Sequence, residues 1–341
     1  MKTSSFIYFL SKYLNNHLPQ ETGASSNTIK VYSDTFKLLF LFAKEQYNLK
    51  PQQLDAETID KKFITEFLNW LTNTRKSSDA TRNLRLSNIK AFFSYMQMEV
   101  PSISLQVQKI FQIPKKKTQQ KVIEYITLEG IKLILSLPDT STDIGKKHLV
   151  LLSFMFATGA RVQEVIDVTI HDFKYNGGEF VRLTGKGNKA RLVPLEKEVI
   201  QLLEGFLKAE KNKRVFYNID EPIFLNRSHN KFTRQGIGYI VKKYATQARK
   251  LNSELIPIKI HPHIFRHSRA MALLHAGVEL IYIRDFLGHY SVVTTENYAR
   301  VNNEATRKAL LKVSPSENSF EIPMWEQDKD LLLYLKSLSS Q

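Results

Sequence analysis

A proline-led basic run, Pro114-Lys115-Lys116-Lys117-Thr118-Gln119-Gln120-Lys121, most constrains how this 341-residue chain can fold. It holds no apolar residue, so it cannot seed a core. It predicts an interdomain linker over 114–121. The stretch before it (1–113) reads as helix after helix. The stretch after it (122–314) mixes helices with a single strand signal, and a short tail (315–341) follows. Each of the two main stretches is long enough to bury a core of its own.

In the first stretch, Ser26-Asn27-Thr28 offers a helix N-cap ahead of Ile29, Tyr32, Phe36, Leu39, Phe40 and Ala43, spaced i, i+3, i+4, i+7. Ile59, Phe63, Phe67, Trp70 and Leu71 mark a second helix. A third begins near Ser78-Asp79, with Leu84, Ile89, Phe92, Phe93 and Met96 expected on one side and Arg82, Arg85 and Lys90 on the other. After the linker, Thr127-Leu128-Glu129 opens a helix that should reach Leu137. The run from His148 to Ala157 is apolar nearly all round, which predicts a buried central helix. Residues 180–185 and 190–194 read as two strands joined by a Gly185-Lys186-Gly187-Asn188 turn. Further helices are expected over 232–248, 267–276, 280–287 and 292–301. The predicted fold is mainly α: a helical N-terminal domain, then a mixed α/β domain with one small antiparallel sheet.

Charge narrows the function. Lys+Arg number 49 against 33 Asp+Glu, a net of +16, which points to a polyanionic partner. Residues 1–118 carry 17 Lys+Arg against 9 Asp+Glu, so half the excess sits in the helical stretch and its linker. Arg82, Arg85, Lys90, Lys115, Lys116 and Lys117 are the DNA-contact candidates there. Cysteine is absent, which excludes disulfides, thiolate chemistry and Cys-ligated zinc, and fits a reducing cytoplasm. The apolar N-terminal run is broken by Ser11 and Lys12 with no small-residue cleavage site after it, so no signal peptide is expected. No apolar stretch is long enough to span a bilayer. A cytoplasmic, nucleoid-associated protein is expected.

Polar residues with phosphodiester chemistry in reach are dispersed through the second stretch. Phosphoryl transfer without a metal needs fixed cations around the phosphate, because its transition state carries charge on the non-bridging oxygens. Arginine suits this best, with a permanent charge and a planar two-donor fork. Arg161 follows the turn Thr158-Gly159-Ala160, where a helix N-terminus would add donors. Glu164, one turn on, either holds that guanidinium or simply solvates the helix. Arg266 lies three residues after His263, and His289 follows Leu287-Gly288. Both histidines can bond a phosphate and help move a proton. His261, His263 and His267 lack the carboxylate or cysteine company of a zinc site, so no metal is expected. Lys186 stands on a glycine-flanked turn that Lys189 and Arg191 keep basic. It is an ordinary hairpin-tip lysine or one that reaches a DNA groove to protonate a leaving 5′ oxygen. Tyr298 is the nucleophile candidate. Its phenol, with a free pKa of about 10, needs cationic neighbours to ionise. Taken singly, each of these residues is an ordinary surface or packing residue, and Tyr282 and Tyr290 are near enough to be confused with Tyr298.

Taken in order, the segments Ala157-Thr-Gly-Ala-Arg161-Val-Gln-Glu164, Thr184-Gly-Lys186-Gly-Asn-Lys-Ala-Arg-Leu-Val-Pro194, His263-Ile-Phe-Arg266-His and Leu287-Gly-His289 through Tyr298 resemble the tyrosine recombinases of the phage-integrase family. The resemblance covers roughly residues 5–312. It implies a SAM-like core-binding domain, a catalytic domain and a clamp on duplex DNA with an inverted-repeat core site. It also implies a 3′-phosphotyrosyl intermediate on Tyr298, activated by Arg161, Lys186, His263, Arg266 and His289 without cofactor. Strand exchange would proceed in a tetramer, with an accessory directionality or DNA-bending factor as a further partner. Ser268, where the family often has threonine, is a mild departure. The wording around 281–300 leans toward transposon-borne members, so integration and excision of a mobile element is the expected role. The alternatives are an Xer-type chromosome-dimer resolvase, a relaxing enzyme of the type IB topoisomerase kind, and a DNA-binding protein that does not cut. The acidic tail, with Leu331-Leu-Leu-Tyr-Leu-Lys-Ser-Leu338, is expected to dock on a neighbouring protomer or back on its own domain.

Overall fold

The computed structural model describes residues 6–55, 58–118, 124–173, 179–185, 187–212 and 218–288. The chain divides into two compact units, 1–121 and 122–341. As the sequence pattern predicts, the described residues are mainly helical with one small antiparallel sheet.

In the first unit α1 (Phe6–Lys12) runs into π-helical turns (Tyr13–Glu21) and is followed by α2 (Ser26–Tyr47), α3 (Lys61–Asn73), α4 (Asp79–Glu99) and α5 (Ser104–Phe111). Side-chain caps set the starts. Ser25 accepts from Thr28 N ahead of α2, Asp60 from Phe63 N ahead of α3, and Ser78 from Thr81 N ahead of α4. The core is built on aromatic rings meeting edge to face, with Phe92 5.2 Å from Phe6 and 5.0 Å from Phe36 between centroids.

One face of α4 differs from expectation. Leu84 is 50% exposed, whereas Arg82 is 5% exposed. The buried row Arg82, Leu86, Ile89, Phe93, Met96 advances by four and three residues, and Leu84 falls off that stripe. Lys90, expected to face DNA, instead donates to the carbonyls of Phe111 (2.8 Å) and Ile113 (2.7 Å), satisfying the open end of α5. Lys90→Met should therefore cost about 1–3 kcal/mol, the desolvation cost of orphaned carbonyls. Urea denaturation checks this. Unchanged stability together with weakened DNA binding would return Lys90 to the DNA-contact role.

The second unit holds α6 (Leu128–Leu135), α7 (Asp143–Thr158), α8 (Val162–Asp167), α9 (Ile170–Phe173), β1 (Phe180–Thr184), β2 (Ala190–Pro194), α10 (Lys197–Asn212), α11 (Arg234–Leu251), α12 (His263–His275) and α13 (Leu280–Leu287). The central helix α7 is buried through Leu151, Leu152, Phe154 and Met155, as its uniform apolarity predicts. It starts earlier than its apolar run because Thr142 caps it through Gly145 N. Strands β1 and β2 pair from Phe180↔Pro194 to Thr184↔Ala190 and send Val181, Leu183 and Val193 into the core. Ser268 Oγ accepts from Ile126 N and donates to Ile264 O, both at 2.8 Å, so this buried hydroxyl fastens the unit's first segment to α12. A threonine hydroxyl has the same donor and acceptor. Among the described residues no helix is long and apolar enough to cross a membrane.

Candidate active site

The site is organised by the C-terminus of α7. Gly159 closes that helix at φ +56°, and a Cβ there would stand 2.8 Å from Leu287 Cδ2. Glycine therefore serves both the left-handed turn and the close approach of α13. The turn delivers Arg161 as the N-cap of α8. Its backbone N–H donates to Glu164 Oε2 and its Nη1 to Glu164 Oε1, both at 2.9 Å. The expected anion-binding helix start is thus already occupied by a carboxylate. Nη2 of Arg161 donates to Gly288 O at 2.9 Å.

Arg191, on β2, completes the cluster from the other side. Its Nη1 and Nη2 donate to Glu164 Oε1 (3.0 Å) and Oε2 (2.8 Å), a two-point fork, and its Nε donates to Phe286 O at 2.9 Å. Arg191 was expected at a DNA face. Its guanidinium instead turns inward, with its side chain 11% exposed against 32% for Arg161. Glu164 is buried between two arginines. Burial alone would raise its pKa, but the bonds from Arg191 and Arg161 outweigh that and hold it below the ordinary carboxylate range.

Arg266, on α12, is buried and donates from Nη1 to Gly159 O (2.8 Å) and from Nη2 to Leu287 O (2.6 Å). Arg161 and Arg266 thereby hold successive carbonyls, Gly288 and Leu287. His263, at the first position of α12, has its pKa lowered by desolvation and then by the charges of Arg266, His261 and Arg161. The lowered pKa favours the neutral imidazole, the form that can accept a proton.

Lys186, His289 and Tyr298 lie outside the described residues, but two of their chain neighbours do not. Gly185 N donates to Lys189 O at 2.9 Å, and a Cβ on Gly185 would stand 3.1 Å from Glu164 Oε1 and 3.6 Å from Arg161 Nη1. Gly288, at φ +65°, would place a Cβ 2.9 Å from Arg191 Cδ. The residues just before Lys186 and His289 therefore pack on one cluster of Arg161, Glu164 and Arg191. Sequence reasoning singled out Glu164 but missed the inward role of Arg191. Its signal was position: residue 191 stands on a strand, opposite Leu183, and not in the turn.

The DNA-contact candidates scatter. Lys115, Lys117 and Lys189 are exposed. Lys116 is exposed while its backbone is clipped to Asn83, through Lys116 N to Oδ1 (3.0 Å) and Nδ2 to Lys116 O (2.8 Å). Arg82 donates to Asn83 Oδ1 at 3.2 Å, and the Nε atoms of Arg82 and Arg85 are buried without a hydrogen bond. The inward placement of Arg82 follows from its position on the buried stripe of α4.

Two histidines of the second unit tie stability to pH. Burial first, and neighbouring charge second, push His148 and His267 down to about 4. His148 Nδ1 lies 2.9 Å from Tyr244 Oη. Unfolded histidine titrates near 6.5, so on acidification the unfolded chain takes up these protons first. Their stabilising contribution is complete above about pH 6.5 and falls away toward pH 4. Melting temperature should drop between pH 6.5 and 5, before carboxylates titrate, and His148→Gln should flatten that slope. An unchanged slope in the variant would contradict the assignment.

Two family models match: the phage integrase family over residues 124–305 and the phage integrase N-terminal SAM-like domain over 10–99. A Sinorhizobium fredii protein named as an integrase/recombinase, y4rC, is 32% identical over 338 residues, covering 99% of both chains. The tyrosine recombinase XerD of Staphylococcus epidermidis is 29% identical, covering 90% of this chain and 98% of its own. The Tn1549 transposon integrase in complex with transposon right end DNA has the same fold, at TM-score 0.67 and 17% identity, covering 88% of this chain and 98% of its own. So does the XerH site-specific recombinase bound to palindromic difH substrate, at TM-score 0.64 and 23% identity, covering 88% and 83%. With one catalytic-domain match spanning more than half its length and a relative aligned over nearly all of it, this chain belongs to the phage integrase family, that of the tyrosine-type site-specific recombinases.

Proposed function

We propose that this protein cuts and rejoins duplex DNA at inverted-repeat core sites through a 3′-phosphotyrosyl link to Tyr298, and that it serves the integration and excision of a mobile element. The observation that carries the chemistry is the packing of Gly185 and Gly288 on one cluster of Arg161, Glu164 and Arg191. It supports a single phosphate seat served by Arg161, Arg266, Lys186, His263 and His289. In this scheme the Tyr298 oxygen bonds to phosphorus while the bond from phosphorus to the 5′ oxygen breaks. The phenolic proton passes to His263, and the leaving oxygen takes a proton from the Lys186 ammonium. The arginines and His289 offset the charge on the non-bridging oxygens. The tyrosyl phosphodiester keeps the bond energy, so attack by a partner strand's 5′ hydroxyl reverses the step without ATP.

Neighbouring structures solved with a core site or transposon end support duplex DNA as the partner, as does the charge of +16. Strand exchange in a tetramer, an accessory directionality or bending factor, and a cytoplasmic, nucleoid-associated location belong to the same reading. The 114–121 run serves as the linker between a core-binding domain (1–113) and a catalytic domain (122–314). The tail, 315–341, lies outside the described residues. Its apolar run is assigned to contact with a neighbouring protomer. The near full-length alignment with y4rC, named as an integrase/recombinase, supports site-specific recombination. The relatives named tyrosine recombinase XerD keep an Xer-type enzyme, with chromosome-dimer resolution as its role, as the second reading.

A plasmid carrying two copies of the DNA that flanks the gene tests both. The mobile-element reading predicts deletion or inversion between these copies with the wild type and none with Tyr298→Phe. Recombination at a fixed chromosomal site but not at the flanks would favour the resolvase. No recombination at either, with site binding intact, would favour a protein that only binds.

A further inference from the structure

Arg191 stands on β2, yet its bonds reach α8 and the end of α13. Its fork closes on both oxygens of Glu164, its Nε holds Phe286 O, and its Cδ lies against Gly288. Glu164 in turn holds Arg161, and its Oε1 lies where a Cβ on Gly185 would all but touch it. Each guanidinium nitrogen of Arg191 therefore has an acceptor within the protein, and the side chain is nearly closed to solvent. These bonds, which engage Nε as well as both Nη atoms, give Arg191 a role inside the protein. What it does is fix three things to one another: the orientation of Glu164, the hairpin base at Gly185, and the turn at Gly288.

We propose that Arg191 is a positioning residue for the strand-cleavage step, holding the β1–β2 hairpin in register with Arg161 so that the proton reaches the leaving 5′ oxygen. The proposal rests on the reading of Lys186 as the proton donor. Lysine at position 191 keeps the charge opposite Glu164 but has a single nitrogen in place of three. It cannot span two carboxylate oxygens and the Phe286 carbonyl together. The hairpin base then shifts, and a misplacement of about 1 Å costs about 100-fold in rate.

The test uses full-length protein and two forms of one nicked site: ordinary DNA, and DNA in which sulfur replaces the bridging 5′ oxygen. A thiolate, with a pKa of about 8.5, departs without a proton. Single-turnover cleavage and DNA affinity are measured for wild type, Arg191→Lys, Arg191→Gln, Lys186→Ala and Arg161→Ala. The expected result is that Arg191→Lys and Arg191→Gln cleave ordinary DNA about 100-fold slowly with unchanged affinity. On the sulfur substrate they should recover to near the wild-type rate, as Lys186→Ala does and Arg161→Ala does not. Such recovery requires a folded protein, so a general loss of structure is separated from the proposed role.

Weaker DNA binding with normal cleavage at saturation would overturn the proposal and make Arg191 a DNA contact. Slow cleavage on both substrates, with Lys186→Ala rescued, would overturn it while leaving Lys186 as donor. If Lys186→Ala is itself not rescued, the proton-donor reading fails and the role of Arg191 in proton delivery falls with it.

Discussion

Arg161→Ala is expected to slow covalent cleavage by about 1,000-fold while lowering DNA affinity far less. Removal of one preorganised donor from a charge-stabilising site costs about 100- to 1,000-fold. Arg161 should fall at the upper end because two losses coincide. The phosphate loses a fixed cation that is partly open to solvent, and Gly288 O loses its donor beside His289. Affinity is spread over many phosphate contacts along a duplex, so one missing contact lowers it modestly and flattens its salt dependence. Arg161→Lys keeps the charge but cannot bond Glu164 and Gly288 O at once, and should still be slowed by about 100-fold. Single-turnover cleavage of a nicked duplex, with affinity measured in parallel, separates these outcomes. A loss confined to affinity would mean that Arg161 only anchors DNA.

Glu164→Ala should produce the largest loss of stability, about 3–5 kcal/mol, the usual cost of breaking a buried charge pair. The carboxylate is 2% exposed and accepts from Arg161 N, Arg161 Nη1, Arg191 Nη1 and Arg191 Nη2. Without it the guanidiniums of Arg161 and Arg191 lose the carboxylate that both bond, and Arg191, 11% exposed, is left largely out of reach of water. Glu164→Gln keeps the shape and one acceptor, and should lose less. The pH dependence has a definite sign. The folded pKa of Glu164 lies below its unfolded value of about 4.3, so the carboxylate's contribution is complete above that value. It is lost as pH falls through the folded pKa. The gap in unfolding free energy between wild type and Glu164→Gln should therefore be widest near neutral pH and narrow in strong acid. A Glu164→Ala protein within 1 kcal/mol of wild type by urea denaturation would contradict the buried-pair account.

Local patterns made the helices readable. Ser78 ahead of Asp79, the apolar run of α7, and the glycine-rich turn between residues 184 and 190 each carry a signal set by nearby neighbours. The α4 face was misjudged at Leu84 because hydrophobicity was followed in place of the 3.6-residue stripe. Lys90 and Arg82 were read as outward cations because charge usually faces water. Lys90 is drawn to the open end of α5, which is 21 residues away in sequence. At the site, residue types and order suggested Arg161, Glu164 and Arg266, but not their partners. Arg191 Nε and the two Nη atoms of Arg266 donate to backbone carbonyls at 286, 159 and 287, and a carbonyl leaves no mark on a sequence. The strand position of Arg191 opposite Leu183 marks its inward face, whereas the Phe286 carbonyl that it holds leaves no such mark.

The central claim, a phosphotyrosyl link made on Tyr298, is tested most directly by covalent trapping on a nicked suicide duplex carrying the gene's flanking sequence. Wild type and Tyr298→Phe are compared on a denaturing gel. The account predicts a protein–DNA band with wild type and none with Tyr298→Phe. A covalent band of equal intensity from both would contradict it and move the nucleophile to another residue.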